Sequence, residues 1–166
     1  MFNRITGICY AIAIATVAAL SLMALPATGI AKQEVAADGI VRVKSVHKFN
    51  ETIELLKQDI AEKGIKFFLS VDQSQLGDAA GIKLKPSTLL IFGNPPLGIQ
   101  FLTSNPNAGL DWPVRLLVTQ DDKGQVWAVY TDFAWIARRH NITDRDAAFQ
   151  KASEVIASIT SKVAAK

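Results

Sequence analysis

Pro86-Ser87-Thr88-Leu89-Leu90-Ile91-Phe92-Gly93-Asn94-Pro95-Pro96-Leu97-Gly98-Ile99-Gln100-Phe101-Leu102 is the stretch that decides the fold. It is the most apolar run outside the N-terminus, and Gly-Asn-Pro-Pro cuts it in two. Thr88 to Phe92 reads as a strand buried on both faces. Pro95 to Ser104 reads as a short helix, because proline is tolerated only in a first helical turn. With Asn94 as N-cap, Pro95 and Pro96 bring no N–H, and the Asn94 side chain would take that of Leu97. That leaves few donors for an anion, so the turn reads as structural rather than as a phosphate cradle.

Upstream, Gly39 to Ser45 alternates apolar and charged residues and predicts a half-buried strand. A helix follows, capped by Asn50, striped by Ile53, Leu56 and Ile60, and stopped by Gly64. Lys66 to Val71 predicts a second strand, and Asp72 to Gly81 a loop with a short helix. Downstream, Asn105 to Gly109 is turn chemistry. Pro113–Thr119 and Gln125–Tyr130 flank Asp121-Asp122-Lys123-Gly124 as a hairpin. Asp132 caps a short helix that ends on Arg138-Arg139-His140, with Asn141 as its stop. Thr143 and Asp146 form a capping-box pattern before a last helix to about Val163. Its stripe is Ala148, Ala152, Val155, Ile159 and Val163, with Phe149 and Ile156 beside it.

The main order is therefore β-α-β-β-β-β-α plus two short helices. It predicts the α+β class: a two-layer sandwich, a mainly antiparallel sheet of about five strands, and two long helices on one face. The far face would carry Arg42, Lys44, Phe68, Arg115, Leu117 and Trp127, opposite Val41/Val43, Phe67/Leu69 and Val114/Leu116. That mixture is too apolar for a plain wet surface and suits a partner, a ligand or a second copy.

Residues 1–31 read as a signal peptide. Arg4 supplies the positive end, Ile8 to Leu25 is an uncharged apolar run of 18 residues, and Pro26 breaks it. Gly29-Ile30-Ala31 offers cleavage after Ala31. An uncleaved anchor is the competing reading, since the run nears spanning length. Pro26 and the small residues favour cleavage, hence an exported protein, periplasmic or secreted, with no membrane segment afterwards. Residues 32–38 are then a leader and 39–165 a single domain.

Composition narrows the chemistry. The 166 residues are 49% hydrophobic and 20% charged, which excludes a disordered chain. The net charge of +3 loses Arg4 on cleavage, leaving 17 basic against 15 acidic residues and no electrostatic case for nucleic acid. The single cysteine, Cys9, leaves as well, removing disulfides and thiol chemistry. His47 and His140 are the only imidazoles, so no metal site and no cofactor are expected. Asp121-Asp122 is read as turn chemistry. Asp111 and Asp132 stand at strand ends, where groups converge on a cleft. Trp112, Trp127, Tyr130 and Trp135 lie close in sequence to Arg115, Arg138 and Arg139, the makings of an apolar pocket with an arginine anchor for a small acidic or aromatic ligand.

Gly81-Ile82-Lys83-Leu84-Lys85-Pro86-Ser87-Thr88 through Phe92-Gly93-Asn94-Pro95, then Leu97-Gly98, Leu110-Asp111-Trp112-Pro113-Val114-Arg115 and Val126-Trp127-Ala128-Val129-Tyr130 carry a resemblance. Over roughly Phe49 to Ile142 the chain resembles the bacterial domain of unknown function 302 family. The resemblance implies a two-layer α+β fold similar to the TATA-binding-protein-like sandwich, often found as a dimer, and implies no reaction. Where relatives commonly carry Asp-His-Ala, this chain has Asp72-Gln73-Ser74, and Gly98-Ile99 stands where Gly-Thr is common.

Three functions follow as expectations. The first is a non-enzymatic homodimeric module binding a small ligand or an envelope protein, with Asp111, Arg115, Trp127, Tyr130 and Trp135 as ligand residues and Phe92, Gly93, Asn94 and Pro95 as structural signature. The alternative is an enzyme with Asp111 or Asp132 as base and Arg115 as anion anchor. The third is an envelope protein whose sheet face only dimerises.

Overall fold

The sheet is centred on the strand Val114–Gln120. The computed structural model describes residues 36–165, so the predicted signal peptide, its cleavage point and residues 32–35 of the leader lie outside the described residues. β1 (Ile40–Lys44) leads to helix α1 (Phe49–Glu62), then β2 (Lys66–Asp72), α2 (Gln73–Ala79) and β3 (Ser87–Gly93). α3 (Pro95–Ser104) and a 3₁₀ helix (Pro106–Leu110) precede β4 (Val114–Gln120), β5 (Val126–Thr131), α4 (Phe133–Arg139) and α5 (Asp146–Ser161). The strands lie in the order β1-β5-β4-β3-β2, all antiparallel. The predicted α+β fold is the one found, and the short helix expected within Asp72 to Gly81 stands as α2 beside α3 and α4.

Period-two alternation sorts each strand onto two faces. One face carries Val41, Val43, Leu90, Phe92, Leu116, Val118, Ala128 and Tyr130, all buried. Leu56 and Ile60 of α1 and Ala152, Ile156 and Ile159 of α5 close over it. The other face follows from the register. Arg42 pairs with Val129, Val129 with Leu117, Leu117 with Leu89, and Leu89 with Val71, a row of four apolar residues ending on an arginine. Beside it run Arg115, Ile91 and Leu69. These residues stay half-buried or exposed.

The register corrects one expectation. A β-bulge between Phe67 and Leu69 slips the alternation of β2 by one, so Leu69 leaves the core face and stands opposite Ile91 at 47% exposure. β3 is likewise buried on one face and half-buried on the other, because among the described residues no second layer of helices covers the central strands.

Three predicted caps differ. α1 begins at Phe49 behind Lys48 rather than at an Asn50 cap, because Phe49 packs on the core and draws the first turn inward. The Asn94 side chain caps nothing; its backbone carbonyl accepts from Leu97 and Gly98 N–H at 3.1 and 2.9 Å. The donor-poor reading of that turn survives by this other route. Thr143 does not cap α5, which starts at Asp146 behind Arg145, where the Asp146 charge suits the positive helix end. Asp132 does cap α4, accepting from Trp135 N–H at 2.8 Å.

Candidate functional site

Asp111 is the centre of the most developed polar cluster. It follows the 3₁₀ helix, its own N–H bonded to Ala108 O, and only 7% of it is exposed. Burying a carboxylate is costly unless each lone pair finds a donor. Arg115 Nη2 donates to Oδ1 at 2.9 Å, Arg139 Nη1 reaches Oδ1 and Oδ2 at 3.2 and 3.1 Å, and His140 Nε2 lies 2.7 Å from Oδ2. Arg115 is four residues on, at the start of β4; Arg139 and His140 come from the C-terminus of α4.

Each partner is itself held. Arg115 Nη2 also donates to Leu110 O, Arg139 lies over the Trp135 ring at 5.5 Å, and Asn105 Nδ2 donates to His140 O. Trp135 packs on Gly39, where φ is +80 and any Cβ would overlap the indole. His140 is buried, whereas the side chains of Arg115 and Arg139 are 49% and 44% exposed. A cleft of about 10 Å³ beside them is lined by Asp111, Val114, Arg115, Thr131, Phe133 and Ile136.

The expected ligand residues therefore divide. Asp111, Arg115 and Trp135 come together, joined by Arg139 and His140. Trp127 stands at the far end of β5, its indole N–H on Asp121 Oδ2 and Arg42 over its ring. That hydrogen bond, with backbone N–H groups of Gln125 and Lys123, holds the Asp121 carboxyl below its ordinary range and leaves Asp121 as turn chemistry. Tyr130 lies on the core face, three residues and so one face away from Trp127. Burial pushes its phenol up to about 12, helped by the nearby Asp132 charge and opposed by a hydrogen bond with Thr160.

The signature turn has a steric meaning. The Trp112 indole lies across Gly93 and Gly98; a Cβ on Gly98 would overlap it, and one on Gly93 would sit 3.2 Å away. Behind the indole is an apolar cavity of about 30 Å³ between Phe92, Phe101, Phe133 and Ile156. Glycine is needed at these two positions for close approach, not for positive φ. A groove of about 770 Å³ between α4 and α5 includes Arg138, Thr143 and Gln150 and gathers no comparable cluster among the described residues.

Two features escaped the sequence reading. His140 was assigned to its helix end, and nothing local signals a partner 29 residues upstream. Asp59, 2% exposed on α1, is the second: Lys63 Nζ is 2.6 Å from Oδ2 and Lys162 Nζ 3.3 Å from Oδ1. Among the described residues no group of three or more His, Cys, Asp or Glu side chains could hold a metal ion, and no helix is long and apolar enough to cross a membrane.

Comparison with known proteins places this geometry. The family described as Domain of unknown function DUF302 matches residues 41–161. Two curated relatives named Fluoride-specific ion channel FluC 1, from Brucella suis biovar 1 and Brucella abortus biovar 1, are each 38% identical over 104 residues. The match takes in 63% of this chain but 41% and 38% of those proteins, so the chain spans about two-fifths of the length of these relatives. A crystal structure of an uncharacterized conserved protein DUF302 from Bacillus stearothermophilus is similar in fold, with a TM-score of 0.69 at 18% identity. It covers 75% of this chain and 98% of its own.

Proposed function

We propose that this chain, which belongs to the DUF302 family, is an exported, non-enzymatic binding module that works as a homodimer. The observation that carries the reading is the uncovered sheet face. Val71, Leu89, Leu117 and Val129 form one apolar row across four strands, with Leu69 and Ile91 beside it. A contiguous apolar face of this kind is a liability on a lone monomer. A second copy is the occupant that fits, because an apolar sheet face can meet its own copy about a twofold axis without any other partner. Export is supported by the charge and apolar pattern of residues 1–31.

The enzymatic alternative loses support from the placement of its bases. Both Asp111 oxygens already accept hydrogen bonds from cationic or imidazole groups, and Asp132 is occupied in capping α4. The relatives named as fluoride channels bear on the partner. The match takes in about two-fifths of those proteins, and we take the shared segment to be an accessory module acting beside a channel. An envelope transport protein for small anions is accordingly the class of partner we assign.

Sedimentation velocity on the purified protein tests the central claim. A dimer at about 10 µM is expected, with Leu117→Glu giving a folded monomer. A wild-type monomer at that concentration overturns the reading.

A further inference from the structure

We infer that the outward edges of Arg115 and Arg139 form a binding site for a small carboxylate-bearing molecule. The inference goes beyond the proposed function, and because Arg115 shares its sheet face with Ile91 and Leu117, it is tested on the Leu117→Glu monomer as well as on the wild type. One buried carboxylate needs one cation for neutrality. Asp111 has two guanidiniums: Arg115 donates to Oδ1 at 2.9 Å, and Arg139 straddles Oδ1 and Oδ2 at 3.2 and 3.1 Å. The two guanidiniums outweigh the one carboxylate, and two like charges are drawn onto a single acid. A second anion on their far side relieves that repulsion.

The guanidiniums are also prepared for it. Asp111 uses Nη2 of Arg115 and Nη1 of Arg139; among the described residues the other N–H groups of both side chains donate to no protein atom. Their side chains are 49% and 44% exposed, so those edges face solvent. Asp111 and the Trp135 ring fix their positions in advance, which lowers the ordering cost of binding. A carboxylate is the chemistry selected. It is a planar monoanion that matches the fork of a guanidinium and the single surplus charge.

Arginine side-chain Nε–H resonances, followed in a titration of the purified protein, read the site directly. Acetate and benzoate should shift the Arg115 and Arg139 signals saturably, with a Kd of about 1 mM or tighter. Arg139→Gln should weaken binding at least about tenfold, whereas Arg138→Gln, next to it on α4 and not bonded to Asp111, should leave it unchanged. Should Arg139→Gln not fold, Arg115→Lys keeps the charge, removes the fork and should show the same loss. Shifts no larger than those from sodium chloride, or no saturation by about 50 mM, overturn the site. Tighter binding of phosphate or fluoride than of either acid overturns the assignment to carboxylates. A monomer in sedimentation that still binds acetate saturably separates failure of the dimer from failure of this site.

Discussion

Asp59 and Asp111 are both buried carboxylates between two cations, and they are built in opposite ways. Asp59 sits on α1 and is met by Lys63, one turn on, and by Lys162, just past α5. Oδ1 makes no aligned hydrogen bond, although the Lys162 ammonium is 3.3 Å away. Lysine stems are flexible and their ammoniums prefer water, so this is a loose clamp joining two helices. Asp111 is met by planar guanidiniums pinned by a backbone carbonyl and an indole, and by an imidazole that is itself buried. Both acids meet the demand for a counter-charge. Only the second spends extra structure on holding its cations still, and that is what a site needs and a clamp does not.

Removing each acid in turn is the sharpest way to break this comparison. Asp111→Ala deletes the one acceptor shared by Arg115, Arg139 and His140 and leaves the buried imidazole without it. A loss of about 3 kcal/mol in urea unfolding is expected, the low end for a broken buried pair because the guanidiniums are half in water. Chemical shifts of Arg115 and Arg139 should collapse toward random-coil values in the same variant. A variant as stable as wild type, with both arginine signals unmoved, would show that Asp111 organises nothing.

Why one cluster was partly legible in the sequence and the other not is a matter of range. Asp111 and Arg115 lie in one short segment, and strand alternation placed Arg115 on the open face. Arg139 and His140 looked complete as a helix end, because a basic C-terminal turn already has a local reason to exist. Asp59 lies among Gln58, Glu62 and Lys63 on a helix whose stripe reads as Ile53, Leu56 and Ile60; its burial is set by α5, which local periodicity cannot see. The hairpin and the Pro95–Ser104 helix needed only local patterns and were readable; the pairing of β1 with β5, far apart in the chain, was not. The bulge at Phe67–Leu69 was not, since a one-residue slip is defined by pairing with β3. The opposite faces of Trp127 and Tyr130 were readable from their odd spacing alone.

Tyr130 extends the comparison to a buried acid stabilised in its neutral form. Its phenol titrates at about 12 against an ordinary 10.0, mainly because burial penalises the phenolate. The neutral form is thus favoured by folding. Its contribution is complete below pH 10 and is lost as the pH rises toward 12. Stability should be level up to about pH 10 and then fall, by about 2 kcal/mol once both transitions are passed. The chain has two tyrosines, and removal of residues 1–31 takes Tyr10 with it, so ultraviolet titration of the shortened protein follows Tyr130 by itself. A phenol midpoint near 10 in the folded protein contradicts the assignment.

Asp59→Asn is the mildest of the three changes and the most instructive. It removes a buried charge whose Oδ1 is poorly satisfied, and that deletion by itself favours the fold. It also frees two ammoniums, but the side chains of Lys63 and Lys162 are already 29% and 51% exposed. Their stems need only a rotamer change to return the charges to water, unlike His140, which has no such exit. The two effects oppose each other, so a destabilisation of about 1 kcal/mol or less is expected in the same urea assay. Acetate binding at Arg115 and Arg139 should be untouched. If Asp59→Asn instead costs as much as Asp111→Ala, the distinction between a loose clamp and a rigid site fails. The number of cations around a buried acid would then matter more than how firmly they are held.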